Sequence, residues 1–191
     1  MNVALRARAM LVDPVAEWLL IDKETGDPAF LLSRYVALLA LVPALCGFVG
    51  TSIIGAVVPG IGAVRAPLFD GLFGAVLGYL AAFITVLLLG FIIDVLAPLF
   101  GGQKNFGSAF KLAVYSYTPV WLAGIFLLLP GLRFLVLTGC YGIYILWTGM
   151  PLLMKSRQKT PTYVLVIGAC AFGLTYAAAA AQRAVFGTPG L

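Results

Sequence analysis

Five apolar stretches, each long enough to cross a bilayer, fill the chain from Tyr35 to Val185. About 20 apolar residues in a helix span ~30 Å of hydrocarbon. Lipid offers no hydrogen bonds to an unpaired backbone, so each stretch must satisfy its own polar groups as a helix. The predicted spans are Tyr35–Val58, Leu68–Leu96, Phe110–Leu129, Phe134–Met154 and Tyr163–Val185. Only 10% of residues are charged and 62% are apolar. A soluble domain would carry roughly a quarter charged residues. The expected fold is therefore all-α and polytopic, with residues 34–187 forming one five-helix bundle preceded by an N-terminal segment, 1–33.

Charge sets the expected orientation. Odd-numbered spans leave the termini on opposite sides. Arg6, Arg8, Lys23, Arg34, Lys104, Lys111, Lys155, Arg157 and Lys159 then share one side, and Arg65, Arg133 and Arg183 share the other. Cytoplasmic loops carry the excess of Lys and Arg, so the N-terminus is expected inside and the C-terminus outside. The same basic residues are thus explained by topology rather than by nucleic acid. Arg6 and Arg8 precede a short apolar run broken by Asp13 and Pro14, without an A-x-A-like cleavage site. The first span is expected to direct insertion.

The N-terminal segment reads as an amphipathic helix. Leu5, Met10, Leu11, Val15, Trp18 and Leu19 can share an apolar face, with Arg6, Arg8, Asp13 and Glu17 toward water and Trp18 at headgroup level. A cap docked on the bundle is the equal alternative. The breaks at Pro59–Pro67, Phe100–Gly107, Pro130–Arg133 and Lys155–Pro161 are short, so consecutive spans are antiparallel neighbours. Thr188–Leu191 reads as a frayed tail.

Few residues carry chemistry. Tyr115-Ser116-Tyr117-Thr118-Pro119 is the densest polar cluster, and Tyr141, Tyr144 and Thr148 share a helical face on the next span. Pro119 removes a backbone donor, and nearby hydroxyls can repair that defect. The cluster is either a hydrogen-bonded structural kink or a polar site at a hinge. Asp94 is expected near Lys111 and the Tyr115 hydroxyl, and Asp70 level with Arg65, Arg133 and Arg183. Both carboxylates read as paired or snorkelling, with an ion or proton relay as the alternative. Gly74, Gly78 and Ala82 lie four apart, as do Ala169, Gly173, Ala177 and Ala181. Small residues at that spacing let helices approach closely, within one chain or between copies.

Cys46, Cys140 and Cys170 sit in separate spans and there is no histidine, so no metal is expected and no cofactor is called for. No Walker A, G-x-S-x-G or H-E-x-x-H pattern is present, and no enzyme activity is expected.

Several segments resemble a known family. Leu96-Ala97-Pro98-Leu99-Phe100-Gly101-Gly102-Gln103-Lys104-Asn105-Phe106 leads into Lys111-Leu112-Ala113-Val114-Tyr115-Ser116-Tyr117-Thr118-Pro119, then Trp121-Leu122-Ala123-Gly124-Ile125. Tyr141-Gly142-Ile143-Tyr144 and Gly149-Met150-Pro151-Leu152-Leu153-Met154-Lys155 follow, and Asp13-Pro14 with Glu17-Trp18 opens the match. Together they resemble the bacterial branch of the Yip domain family of Ypt/Rab-interacting membrane proteins. The resemblance implies five spans in a bacterial inner membrane with a cytosolic N-terminus. Eukaryotic relatives are adaptors that engage prenylated Rab-type GTPases and one another. This chain lacks their long N-terminal extension and their Asp-Leu-Tyr-Gly-Pro motif, which argues against Rab binding here.

The expected function is a non-enzymatic scaffold or adaptor working through helix and lipid contacts, alone, as a homo-oligomer or with other membrane proteins. The alternative is a small transporter, channel or lipid-moving protein using Tyr115, Ser116, Thr118, Pro119, Tyr141, Tyr144 and Asp94.

Overall fold

The computed structural model describes residues 2–24, 27–58, 62–156 and 160–186. Five helical spans are present, at Pro28–Ile54, Leu68–Phe100, Phe106–Leu128, Pro130–Leu153 and Thr160–Gln182. The all-α polytopic architecture read from hydropathy is the observed one. Arg157, Lys159 and Thr188–Leu191 lie outside the described residues, as does the side chain of Arg183.

The span limits move for local reasons. The first span begins at Pro28, seven residues before the predicted Tyr35. Asp27 caps it by accepting from the Ala29 N–H at 3.0 Å, with Pro28 in the first helical position. Ser33 turns its hydroxyl back to the Ala29 carbonyl at 2.8 Å, which lets a polar residue sit inside the helix. π-helical turns at Leu31–Val36 and Val49–Ile54 flank the α-helical centre. That span ends at Ile54 rather than Val58, because Gly55 takes a positive φ of 77° and the chain turns into a strand. Strands β1 (Ala56–Val58) and β2 (Gly62–Val64) pair antiparallel, with Val57 opposite Ala63. They form a small hairpin in the loop joining the first two spans.

The loop that carries Gly101-Gly102-Gln103-Lys104-Asn105 is a structural clasp. Gly101 has a φ of 73°, the left-handed conformation that favours glycine. A Cβ on Gly102 would lie 2.7 Å from the Met154 carbonyl oxygen. The Gln103 N–H donates to that same oxygen at 2.9 Å, and the Ser156 hydroxyl donates to the Phe100 carbonyl at 2.7 Å. The loop thereby ties the end of the second span to the end of the fourth. Asn105 then caps the third span through the Ser108 N–H.

The third span is the centre of the bundle. Ala109 through Pro119 are all buried. On one side Gly90 of the second span lies close enough to Phe110 that an added Cβ would sit 3.2 Å from its Cα. On another, Gly142 of the fourth span faces the Ser116 carbonyl. Glycines here permit the close helix approach that stabilises bundles in lipid, where no hydrophobic force drives helices together.

The N-terminal segment forms two helices, α1 (Val3–Val12) and α2 (Pro14–Lys23), turned by Asp13, which caps α2 through the Ala16 N–H. Ala7, Met10, Trp18 and Ile21 are buried against the bundle, whereas Leu5, Val12, Val15, Leu19 and Leu20 are exposed. The predicted apolar face is thus divided, half toward the protein and half outward. Trp18, expected at headgroup level, is enclosed: its Nε1 donates to the Ile145 carbonyl at 3.1 Å and the Thr148 hydroxyl at 3.2 Å.

Candidate functional site

The conspicuous Tyr-Ser-Tyr-Thr-Pro block is a packing hub, and its tyrosines and threonine reach three other elements. Tyr115 meets Tyr35 of the first span and Trp18 of α2 edge-on, at ring separations of 4.9 and 6.0 Å. The Thr118 hydroxyl is 2.8 Å from the Tyr35 hydroxyl, with both residues fully buried. Tyr117 donates to the Ala171 carbonyl at 3.2 Å and lies 3.1 Å from the Thr175 hydroxyl on the fifth span. Ser116 is buried with its Oγ unpartnered among the described residues, and Pro119 opens a fresh helical segment after Tyr117. These residues fasten the first and fifth spans and α2 to the third.

The fourth-span hydroxyls do not join this cluster. Tyr141 and Tyr144 are exposed, and the Tyr141 hydroxyl donates to the Leu11 carbonyl of α1 at 3.1 Å. Thr148 accepts from Trp18. The N-terminal helices touch this face at the Tyr141 hydroxyl and at Thr148, and Trp18 is wedged between Thr148 and Tyr115. Tyr141 stands about 18 Å along the helix from Leu153, the span's C-terminal end. The turn between α1 and α2 therefore climbs well up the side of the bundle.

Two charged groups are enclosed there, of which Arg6 is the one expected to face water. Arg6 pairs with Glu17 through Nη1 and with Glu24 through Nη2, and the Arg6 and Glu17 side chains are each 13% exposed. Burial draws the Arg6 pKa down, but the hydrogen bond and charge of Glu24, with help from Tyr115 and Glu17, outweigh it and hold the guanidinium above its ordinary value. Lys111, also buried, donates to the carbonyls of Ile21 (2.9 Å) and Glu24 at the end of α2. It does not pair with Asp94, whose Oδ1 is buried without a hydrogen-bond partner among the described residues. The expected Asp94–Lys111–Tyr115 grouping is not formed, because the free end of α2 offers carbonyls to the lysine.

A sizeable concavity lies elsewhere, toward the opposite end of the bundle. A groove of about 660 Å³ runs between the first, second, third and fifth spans. Gly74, Gly78 and Ala82 of the second span form one wall, so this small-residue stripe is turned inward. Pro43 and Gly47 of the first span, Tyr117 and Val120 of the third, and Ala178 of the fifth form the others. Asp70 and Arg133, each in the first residues of its span, line the groove at that end. Gln182, another lining residue, donates to the Gly74 carbonyl at 3.1 Å. The matching stripe on the fifth span, Ala169, Gly173, Ala177 and Ala181, is exposed on the outer surface. The sequence hints at the groove through its run of small residues, but only the pairing of non-consecutive spans creates it.

A helical core closed by hydroxyl–hydroxyl and hydroxyl–carbonyl bonds, with apolar residues around its rim, defines a polytopic membrane protein. The chain belongs to the Yip1 family: the Yip1 domain model matches residues 8–180. It is 28% identical over 150 residues to the inner membrane protein YohC of Escherichia coli K12, across 76% of this chain and 77% of the relative. The YohC of Escherichia coli O6:H1 matches to the same extent. No solved structure matches. The family and these relatives, with the five apolar helices, make this a multi-pass inner-membrane protein.

Proposed function

We propose that this protein is a non-enzymatic scaffold of the inner membrane, with its N-terminus cytoplasmic, that assembles with further copies or other membrane proteins along its fifth span. The observation that carries the reading is the unpartnered face of that helix. Tyr163, Val164 and Ile167 are buried near one end, but beyond them Ala169, Gly173 and Ala177 are exposed. A Cβ added at Gly168 or Gly173 would meet nothing within 4 Å. Small residues four apart on a lipid-facing helix let a second backbone approach. The exposed Lys23, Arg34, Lys104 and Lys155 gather at the other end, where contact with anionic headgroups supports the orientation.

Single cysteines at Ala169, Gly173 and Ala177, in a background with Cys46, Cys140 and Cys170 replaced, test the seam by oxidative cross-linking in native membranes. Cross-linking at these three but not at Phe172 is the expected result. A protein that cross-links at none of them and stays monomeric in several mild lipids overturns the reading.

A second reading, movement of lipid or a small solute, draws support from the groove beside Gly74 and Gly78. It draws none from the Pro119 hinge, where the buried hydroxyls of Tyr35, Tyr117 and Thr118 already have partners.

A further inference from the structure

The groove is shaped and charged for one particular guest. We propose that it holds a single phospholipid with an amine headgroup, drawn from the leaflet at the Asp70 end, with an acyl chain inside and the headgroup between Asp70 and Arg133. The inference stands apart from the scaffold reading, which concerns the outer face of the fifth span.

Length and width fix the body of the guest. From Asp70 to Thr85, both lining the groove, the helix rises about 22 Å. That exceeds half of a ~30 Å hydrocarbon core, so an acyl chain of one leaflet fits lengthwise. Spread over that length, 660 Å³ leaves a mean cross-section of about 30 Å². A helix about 10 Å across would need more than twice that, so a helix of a second copy is too thick. The volume is within the ~300–1,000 Å³ of ordinary ligand cavities.

Polarity fixes its character. The walls are mainly Gly, Ala, Pro, Val and Leu. Most hydroxyls along them are already engaged: Thr51 donates to the Gly47 carbonyl at 2.8 Å, and Tyr117 and Thr175 bond each other and the Ala171 carbonyl. Thr85, at the deep end, is the exception among the described residues, and one hydroxyl between apolar walls does not hold a polar guest or a file of ions. Both charges of the lining are in the first residues of their spans, one of each sign, and among the described residues neither Asp70 nor Arg133 has an ion-pair partner. A carboxylate suits a primary ammonium, and a guanidinium suits a phosphate through paired N–H donors. A headgroup with both, such as phosphatidylethanolamine, matches the pair; an anionic headgroup without an amine engages Arg133 and meets repulsion from Asp70.

The test is native mass spectrometry of the full chain released from nanodiscs of equal phosphatidylethanolamine and phosphatidylglycerol. One retained phosphatidylethanolamine per chain is expected, favoured over phosphatidylglycerol on the order of tenfold. Asp70→Asn should abolish that preference while retaining lipid. Arg133→Gln should weaken both lipids. Ala178→Trp, which fills the groove, should lose the bound lipid, whereas Leu165→Trp on the exposed side of the same helix should keep it. If the Ala178→Trp chain does not fold, the headgroup preference of Asp70→Asn decides. No one-to-one lipid on the wild type, or retention unchanged by Ala178→Trp in a folded chain, overturns the site. Equal retention of the two lipids by the wild type overturns the headgroup assignment.

Discussion

The hydroxyls of Tyr35 and Thr118 lie 2.8 Å apart in the interior, joining the first span to the third where neither side chain touches solvent. Each hydroxyl is the other's partner, so removing one leaves a buried polar atom. In lipid such bonds are worth less than burial alone suggests, about 1 kcal/mol, because the separated helices find other partners. Tyr35→Phe and Thr118→Val should each lower stability by about that much. The double variant should be no worse than either single one, giving a coupling near 1 kcal/mol. Reversible unfolding in bicelles, read as a double-mutant cycle, checks this.

Arg6 is held between two carboxylates in a nearly enclosed site, so the cost of breaking the group depends on what remains. Arg6→Met strands Glu17 in surroundings that exclude most water, and should destabilise by about 3 kcal/mol. Replacing Arg6 and Glu17 together by Met leaves only the more exposed Glu24 and should recover most of that loss. A double replacement as damaging as the single one would mean that the attraction itself, rather than the stranded charge, sets the cost. Thermal unfolding of the two variants beside the wild type in one detergent distinguishes these outcomes.

The spans and the family were legible in the sequence because both rest on local information. Hydropathy finds a helix wherever apolar residues run on, and the Gly-Gly-Gln-Lys-Asn loop marks a turn that needs glycine. The capping pair Asp27-Pro28 also signalled the true start of the first span, although Ser33 and Arg34 masked it as a loop. Side-chain partners were harder. Tyr141, Tyr144 and Thr148 do share a face, but α1 and α2 come from more than 100 residues away to touch it at Tyr141 and Thr148. Asp94 and Lys111 stand at similar depth, yet the lysine turns to the end of α2. The groove depends on how the second span meets the first and fifth, which no spacing along one helix encodes.

Lys111 closes the C-terminal end of α2, and its removal should loosen that helix without unfolding the bundle. The ammonium donates to the Glu24 carbonyl, a group that a helix end leaves without a helical partner, and to the Ile21 carbonyl, which also accepts from the Glu24 N–H. Lys111→Met keeps the apolar stem and removes the donor, at a cost of about 1–3 kcal/mol. Hydrogen exchange should quicken across Pro14–Lys23 while Phe106–Ser116 stays protected. Uniform loss of protection would mean that α2 is integral to the core rather than docked on it.

Gly142 and Gly173 make opposite predictions from the same chemical change. At Gly142 a Cβ would lie 2.4 Å from the Ser116 carbonyl oxygen, a main-chain atom that cannot rotate away. Gly142→Ala must push the fourth span off the third and should cost about 2 kcal/mol or more. Around Gly173 there is open space within one chain, so Gly173→Ala gains helix propensity and should stabilise the monomer by up to about 1 kcal/mol. The scaffold reading adds a second effect at this position alone: a larger residue at the seam holds two backbones apart. Gly173→Ala should therefore raise the unfolding midpoint of isolated chains while weakening cross-linking at Ala169. Gly142→Ala should lower the midpoint whatever the oligomeric state. A Gly173→Ala chain that unfolds earlier when dilute in detergent would show that the fifth span packs more tightly within one chain than its open surroundings indicate.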